Sequence, residues 1–268
     1  MGRWTCDRCG ATGEVPPGES ADTVLCDTCG EPVLGEDRRA PAQVLREIRR
    51  YPVKAMGGEA VASVEVDRRG VVGDRAYAVV DGDGKLASGK HTRRFRRRDE
   101  VFEFASRTTP AGVVVTGRGG EWPAPGDDVD QVLSEAMATP VRVLAETTTP
   151  YFDDGQVSLV GTASLAWCRR HLQVDADHRR IRPNLVVETE EPFVEESWSG
   201  TVEVGGVTLR PVLQIERCRM IDIAQEGLPR EGRWLKSLTE ARDMKLGIYL
   251  DVVHPGTFAV GDPVRVLG

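Results

Sequence analysis

Six cysteines are the residues of this sequence with the most evident chemistry, and four of them lie within the first 30 residues. Cys6 and Cys9 form one Cys-x-x-Cys-Gly motif, and after sixteen intervening residues Cys26 and Cys29 form a second. Two such motifs at this spacing are typical of a site in which four thiolates surround one metal ion in a tetrahedron. We therefore predict that residues 1–36 form a zinc-ribbon-like module that depends on a metal ion for its folding.

The sequence leaves the metal of this module open between zinc and iron. A closed four-cysteine site is usually structural and holds zinc. The same ligands also accept a single iron ion, as in rubredoxin-like modules, and iron would make the module an electron relay. Residues 32–41 are short, charged and bounded by proline, so we place a linker after the module.

The two remaining cysteines differ in their surroundings. Leu165, Cys168 and Leu172 recur at the spacing of one helical face, which predicts a buried, unreactive thiol. Cys218 follows a predicted strand and has an arginine on either side. Because neighbouring cations favour the thiolate, Cys218 is a candidate nucleophile or soft metal ligand. An unreactive residue at the end of a strand is the alternative interpretation.

Basic residues gather where predicted strands begin or end. Lys54 precedes a Gly-Gly break, Arg75 precedes a strand, and Arg182 stands shortly before Asn184 and another strand. If these groups converge they suit an anionic ligand such as a phosphate, whereas isolated ones are solvated surface groups. A run from Lys90 to Arg98 carries six positive charges. It is either a solvated loop or edge strand, or a rim that attracts an anionic cofactor or an acidic partner.

The elements that must position these groups are mostly strands. Beyond residue 42, short β-branched runs recur between glycine, proline and aspartate, which predicts a mainly antiparallel barrel or sandwich. Gly205-Gly206 and Gly261-Asp262 predict tight hairpins. The sequence contains neither a GxxxxGK[ST] nor a GxGxxG nucleotide-binding loop. The few helical signals begin at Asp127, at Thr162 and, more weakly, at Trp234.

The composition restricts the classes of function. The chain has 268 residues, 40% of them hydrophobic and 29% charged, which is enough for one large domain or two modest ones. We find neither a membrane-spanning apolar run nor an apolar N-terminal signal, and therefore expect a cytoplasmic protein with reduced cysteines. The 42 acidic and 35 basic residues give a net charge of −7, which disfavours a nucleic-acid partner.

Several segments together resemble one known family. In chain order they are YPVKAMGG, GVVGDRAYAVVDGDGKL, VSLVGTASLAW, IRPNLVVE, VTLRPV, ERCRM and PGTFAVGDPVRVL. On these segments, residues 42–268 are similar to proteins that join a MOSC domain to an N-terminal β-barrel, such as the amidoxime-reducing component and bacterial reductases of N-hydroxylated bases. The resemblance implies a mainly β fold with a few peripheral helices. It places an N-terminal β-barrel domain at 42–150 and a MOSC β-barrel at 151–268.

The resemblance also implies a molybdenum–molybdopterin cofactor. The cysteine that ligates the metal in this family corresponds to Cys218, which becomes the expected catalytic residue. One departure is Ala55, where the family often has serine, so we expect one hydrogen bond to the cofactor to be missing. The positions that hold the pterin and its phosphate correspond to Lys54, Arg75, Thr162, Ser164, Arg182, Asn184 and Arg217.

The implied reaction is the reduction of an N-hydroxylated or N-oxide small molecule by removal of its oxygen atom. Electrons are then expected from a separate reductase or ferredoxin-like donor, unless the N-terminal module holds iron. MOSC domains also occur in molybdenum-cofactor sulfurases, so a sulfur carrier with a persulfide on Cys218 is the first alternative. A zinc-ribbon nucleic-acid-binding protein is the weaker one, and it predicts an affinity that falls steeply with salt.

Overall fold

The computed structural model describes residues 3–6, 9–14, 24–30, 34–35 and 43–267. It divides into two units, residues 1–42 and residues 43–268. The predicted linker at 32–41 lies outside the described residues apart from 34–35. Among the described residues, no helix is long and apolar enough to cross a membrane.

The first unit contains a small antiparallel sheet. Its central strand β1 (Arg3–Thr5) pairs with β2 (Thr12–Glu14) and β3 (Leu34–Gly35). Trp4 is buried over Gly13, where any Cβ would lie 2.4 Å from the indole ring. The other buried residues in this part of the described chain are Cys6 and Cys26. So small an apolar core cannot hold a fold by itself, which agrees with a unit that folds around a metal.

The second unit is mainly β-sheet with few helices, as the sequence predicts. Its helices are α1 (Asp127–Met137), α2 (Thr162–Leu172), α3 (His178–Ile181) and α4 (Trp234–Arg242), and short 3-10 turns cover Asp99–Glu103, Val194–Ser197 and Arg219–Asp222. Its strands are β4 (Gln43–Arg50), β5 (Glu59–Val61), β6 (Ser63–Asp67), β7 (Gly70–Val71), β8 (Tyr77–Asp81), β9 (Leu86–Ser88), β10 (Phe95–Arg97), β11 (Phe104–Thr109), β12 (Gly112–Gly117), β13 (Gly120–Ala124), β14 (Val141–Ala145), β15 (Val157–Gly161), β16 (Leu185–Val187), β17 (Thr201–Val204), β18 (Val207–Glu216), β19 (Lys245–His254), β20 (Gly256–Ala259) and β21 (Pro263–Leu267).

Seven strands of this unit close into a barrel, which confirms the predicted barrel. Their order is β16-β15-β19-β18-β17-β21-β4, and β4 also pairs with β16 to complete the ring. Val202, Val204 and Leu209 are among the fully buried aliphatic side chains of its core. Because β4 precedes residue 150 and the other six strands follow it, both sides of the predicted domain boundary contribute to one barrel. The boundary itself stays a prediction.

Three smaller sheets lie in the same unit. Their strand orders are β10-β9-β8-β14, β11-β12-β13 and β20-β6-β7. Helix α1 buries Val129, Leu133 and Met137, which recur at helical spacing and belong to a second apolar core. This core also contains Val53, Ala55 and Met56, so it supports the segment that carries Lys54.

One of the two predicted hairpins is present in the structure and the other is not. Gly205-Gly206 joins β17 to β18 as an antiparallel pair, which confirms the first. The second prediction is wrong, because β20 pairs with β6 whereas β21 pairs with β17 and β4. The Asp262 carboxylate accepts a hydrogen bond of 2.7 Å from the backbone N–H of Ala259. This turn therefore ends β20 and redirects the chain into another sheet.

Candidate functional site

A cavity of about 650 Å³ lies in the second unit. Its volume falls within the range of protein cavities that hold cofactors and drug-sized ligands. Seven basic and three acidic side chains line it, so an anionic ligand is favoured. The basic residues are Lys54, Arg75, Lys90, Arg180, Arg182, Arg217 and Lys245, and the acidic ones are Asp153, Asp154 and Glu216.

Cys218 lines this cavity and is partly exposed. It follows β18 directly and precedes the turn at Arg219–Asp222. Arg219 forms a two-pronged ion pair with Asp99, with N–O distances of 2.6 and 2.8 Å, and this pairing largely neutralises its charge. The strand end thus presents a thiol to the cavity, where it can serve as a soft metal ligand or a nucleophile.

Arg217, the other neighbour of Cys218, is buried and donates to backbone carbonyls. Its guanidinium donates to the oxygen of Leu246 at 2.8 and 2.5 Å and to that of Ile181 at 2.9 Å. Burial lowers the pKa of Arg217 to about 10, which leaves it charged at neutral pH. Since carbonyls do not cancel its charge, Arg217 places a buried cation directly before Cys218 in the chain. It also ties the end of β18 to β19.

Arg182 combines burial, charge and unpaired donors. Its backbone is left-handed, with φ of 56°, which is uncommon for a residue other than glycine. Burial lowers its pKa to about 10, so the guanidinium stays charged at neutral pH. Both terminal nitrogens are buried without a hydrogen-bond partner among the described residues. Two unpaired donors in a cavity wall suit two oxygens of a phosphate.

Arg75 and Asn184 hold the backbone around Arg182. Arg75 donates to the carbonyl oxygen of Arg182 at 3.0 Å and to Oδ1 of Asn184 at 3.3 Å. Oδ1 of Asn184 also accepts from the backbone N–H of Ser158 at 3.1 Å, and Nδ2 donates to the carbonyl of Arg49 at 3.2 Å. Asn184 thereby links β4 to β15. Its amide acts within the protein, and its contribution to a bound ligand is to fix Arg75 and Arg182.

Lys54 is buried and paired with Asp153. Its Nζ lies 3.1 Å from Oδ1 of Asp153, and Lys90 Nζ lies 3.4 Å from Oδ2. Burial lowers the pKa of Lys54 to about 8 despite the attraction of Asp153. Burial opposes ionisation of Asp153 too, but the two lysines outweigh it and hold the pKa of Asp153 at about 2. The carboxylate is therefore ionised at neutral pH, between two ammonium groups.

Two predicted site residues, Thr162 and Ser164, are not among the lining residues of the cavity. Ser164 is fully buried, donates to Oε1 of Glu195 at 2.7 Å and accepts from the backbone N–H of Phe193 at 2.7 Å. The Thr162 hydroxyl accepts from the N–H of Thr189 at 3.1 Å. Both hydroxyls thus fasten the start of α2 to the segment that follows β16. The structure thus gives both hydroxyls a role in positioning α2, and their predicted role in cofactor binding stays a prediction that the cavity lining does not support.

Sequence reasoning gave no role to Asp153, Arg180 or Tyr249. All three line the cavity. Tyr249 lies on β19 between the buried residues Ile248 and Leu250, so strand alternation turns it to the opposite face from them. This alternation can be recognised in the sequence, so it could have identified Tyr249 as a residue on the other face of the strand. Asp153 stands in a stretch without strand or helix, where nothing in the pattern separates it from a surface carboxylate.

Four of the six basic residues of the run have side-chain partners within the protein. Lys90 pairs with Asp153 in the cavity, and Arg94 donates to the carbonyl oxygen of Phe152 at 3.3 Å. Arg96 lies 2.6 Å from Asp83, and Arg97 lies 3.3 Å from Asp99. These pairs give no support to the nucleic-acid-binding alternative. One member of the run, Lys90, belongs to the cavity rim, and Arg94 holds the neighbouring loop.

The four cysteines of the first unit converge. Their Sγ atoms all lie within 4.8 Å of one another. Cys6 lies 3.4 Å from Cys29, and Cys9 lies 3.5 Å from Cys26, measured between sulfurs. A tetrahedral ion with metal–sulfur bonds of ~2.3 Å needs sulfurs ~3.8 Å apart, so the arrangement fits one ion. The glycine after each motif has φ of 73° and donates to the carbonyl of the first cysteine in its motif, at 2.9 and 2.8 Å, which makes the two turns equivalent.

Two protein-family models match the chain. The MOSC N-terminal beta barrel domain matches residues 42–121, and the MOSC domain matches residues 146–265. Cys218, Arg182 and Arg217 fall in the second matched range, and Lys54 and Arg75 fall in the first. The cavity is therefore built from both matched ranges, whereas the four-cysteine site lies outside them.

Similar proteins are of two kinds. The chain is 24% identical to mitochondrial amidoxime-reducing component 1 of Homo sapiens over 279 aligned positions, which cover 81% of each protein. It is 25% identical to the molybdenum cofactor sulfurase of Caenorhabditis briggsae over 247 positions and to that of Danio rerio over 175. These alignments cover 80% and 53% of this chain. The chain spans only 35% and 21% of the lengths of those two sulfurases.

Solved structures that align with this chain include the YuaD protein of Bacillus subtilis, with a TM-score of 0.49 at 13% identity. That alignment covers 85% of this chain and 96% of the YuaD chain. YiiM of Escherichia coli aligns with a TM-score of 0.40 at 11% identity, covering 85% of this chain and 71% of YiiM.

Proposed function

This chain belongs to the MOSC family, and on that premise we propose that it binds a molybdenum–molybdopterin cofactor in the cavity and acts as an oxidoreductase. One observation carries the proposal: the Cys218 thiol and the unpaired guanidinium of Arg182 line the same cavity. A soft thiolate suits molybdenum, and a buried cation with free donors suits a phosphate. Few ligands need both a soft thiolate and a buried cation. A metal held by a pterin that carries a phosphate needs both.

In this proposal the residues of the chain have distinct tasks. Cys218 would ligate the metal, and the buried Arg217 beside it adds positive charge to this end of the cavity. Arg182 and Lys54 bind the phosphate, and Arg75 positions Arg182 through its carbonyl oxygen. The strong burial of these cations means that an anion bound there is shielded from competing water, which strengthens each charged hydrogen bond.

We propose the reduction of N-hydroxylated or N-oxide compounds as the reaction. The bound cofactor supplies two-electron oxygen-atom transfer, which removes the oxygen as water and leaves the amine or amidine. Support comes from the similarity to an amidoxime-reducing component over about four fifths of both chains. The lining residues Phe152, Leu213, Ile215 and Met220 offer an organic substrate an apolar contact surface.

A role in handling the cofactor's sulfur is the second candidate. The matches to molybdenum cofactor sulfurases favour it, and they cover a minor part of those proteins. Cys218 would then carry a persulfide in place of a permanent bond to the metal. A partly exposed thiol beside a buried arginine is equally suited to that chemistry.

The number of turnovers per Cys218 distinguishes the proposed reductase from the sulfur-handling protein. Protein loaded with cofactor and given an artificial one-electron donor reduces an N-hydroxylated amidine at many equivalents per Cys218 if it is a reductase. A sulfur-handling protein instead releases at most one sulfide per Cys218 on treatment with a thiol reductant. A stoichiometric sulfide release without any amidine formation would overturn the reductase.

We propose zinc for the four-cysteine site. Four thiolates in two equivalent turns form a closed tetrahedral site without an open ligand position, which is typical of structural zinc. Iron in the same site would be coloured and redox-active, whereas zinc is neither. With zinc there, the electrons for the proposed reduction come from a separate donor protein.

A further inference from the structure

Three arginines surround one buried aromatic ring beside the candidate site, and two of them, Arg75 and Arg182, line the cavity. Tyr51 is fully buried and directly follows β4. The guanidinium carbons of Arg182, Arg75 and Arg49 lie 4.3, 4.6 and 5.7 Å from the centre of its ring. All three distances fall within the range of cation–π interactions, which gain strength where water is excluded.

The ring is itself held from several directions. The backbone N–H of Tyr51 donates to Oδ1 of Asp74 at 2.8 Å, and its carbonyl accepts from the N–H of Arg75 at 2.7 Å. Its hydroxyl accepts from Nε of Arg49 at 3.2 Å. Arg49 in turn forms an ion pair with the nearly buried Glu226. The orientation of the ring is therefore fixed by the protein, independently of any ligand.

The arginines at this ring differ in their hydrogen-bond partners. The guanidinium of Arg75 is engaged by Asp74, Asn184 and the carbonyl of Arg182. The terminal nitrogens of Arg182 have no hydrogen-bond partner among the described residues, so no hydrogen bond there fixes where they point. The ring of Tyr51 contacts this guanidinium directly and, together with the charges of Glu226 and Asp74, offsets repulsion from Arg75.

We propose that Tyr51 is a positioning residue, whose ring holds the Arg182 guanidinium in the cavity wall with both terminal nitrogens free for the oxygens of an anion. The inference rests on the anion site of the proposed function and adds the residue that preorganises it. A ring can do this where a carboxylate cannot, because it attracts the cation without occupying its N–H donors. An acidic partner in the same place would compete with the ligand.

The competing explanation is that Tyr51 merely fills space. The two explanations separate when the ring's charge distribution changes at nearly constant shape. Tyr51→Phe keeps the negative ring face and removes the hydroxyl. Pentafluorophenylalanine at position 51 keeps the apolar ring but reverses the sign of its face, so it repels a guanidinium.

The test measures binding of inorganic phosphate to full-length, cofactor-free protein at neutral pH by calorimetry, with thermal unfolding recorded for each variant. We expect Tyr51→Phe to bind phosphate within about twofold of the unaltered protein. The pentafluorophenylalanine protein should bind at least about fivefold more weakly, with an unfolding temperature close to that of Tyr51→Phe. Tyr51→Leu provides a second comparison and should lose at least as much affinity.

Equal phosphate affinity of the phenylalanine and pentafluorophenylalanine proteins would overturn the positioning role while leaving the anion site intact. Should the fluorinated protein fail to fold, undiminished phosphate affinity of Tyr51→Leu would overturn it in the same way. Failure of the unaltered protein to bind phosphate, or binding that survives Arg182→Ala, would overturn the anion site and the inference with it. The two kinds of failure are therefore distinguishable.

Discussion

Lys54 Nζ lies 3.1 Å from Oδ1 of Asp153, so a carboxylate of the protein itself is paired with the lysine that we assign to a phosphate. Lys90 lies 3.4 Å from the other oxygen of that carboxylate. Asp153 therefore competes with an incoming anion for two ammonium groups. The balance between this carboxylate and the ligand sets how tightly the cavity holds a phosphate.

Removing the Asp153 charge should strengthen phosphate binding. The carboxylate and a bound phosphate repel each other. At an effective dielectric constant of about 20, two unit charges ~5 Å apart interact by ~3 kcal/mol, and partial exposure to solvent reduces this repulsion to about 1 kcal/mol. We expect Asp153→Asn to bind inorganic phosphate about fivefold more tightly by calorimetry. Asp154→Asn, which changes the adjacent lining carboxylate, is the matched control and should change affinity by less than about twofold. Weaker binding in Asp153→Asn would show that the carboxylate positions the lysines and does not compete with the ligand.

Phosphate affinity should fall as pH rises through about 8. Burial places the pKa of Lys54 near 8, below its ordinary value of 10.5, so this lysine loses its charge over that interval. The charges of Asp153, Arg75 and Lys90 act on Lys54. The lowered pKa of Asp153 and the raised pKa of Arg75 mean that neither group titrates over this interval. Because inorganic phosphate can only gain negative charge as pH rises, a decline in affinity reports on the protein. Lys54→Arg retains its charge, and the decline between about pH 7.5 and 9.5 should be several-fold smaller in that variant. An identical decline in both proteins would assign it to another group.

Ser164→Ala should reduce stability without affecting the site. The change leaves the buried Glu195 carboxylate without its hydroxyl donor and Phe193 N–H without its acceptor. A loss of about 1–3 kcal/mol in the free energy of unfolding is expected from urea titration. Phosphate affinity should stay within about twofold. If affinity fell severalfold at unchanged stability, Ser164 would belong to the anion site after all.

The first unit should contain one zinc ion. Protein purified without added metal is expected to hold about one equivalent of zinc by mass spectrometry and to show no visible absorption band. Cys26→Ala removes a buried ligand and should abolish this zinc, whereas Cys168→Ala removes a thiol of the second unit and should not. A visible band with stoichiometric iron would instead establish a redox-active site.

Much of the architecture follows from local sequence patterns. Alternating β-branched runs and the Gly205-Gly206 turn identify strands correctly because their signals are confined to a few residues. The pairing of β4 with β16 joins residues more than 130 positions apart, and nothing local encodes it. The Gly261-Asp262 turn was misassigned for the same reason, since its side-chain hydrogen bond ends one strand and the partner of the next is distant.

The candidate site, like the fold, can be predicted from the sequence only in part. A cysteine between two arginines is visible in the sequence, and so are basic residues at strand ends. The burial of Arg182 and its contact with Tyr51 depend on how β4 packs beside the chain before β16, which no local pattern encodes. Likewise, the hydroxyls of Ser164 and Thr162 bond to Glu195 and Thr189, which lie about 30 positions further along the chain, and no local pattern reveals these partners.

Molybdenum content tests the central claim most directly. Full-length protein and two matched variants, Cys218→Ala and Cys168→Ala, are produced in a host that makes the cofactor, and molybdenum is measured per zinc ion as an internal reference. We predict about one molybdenum in the unaltered protein and in Cys168→Ala, and almost none in Cys218→Ala. Equal molybdenum in all three, or none in the unaltered protein, would contradict a cofactor held by Cys218.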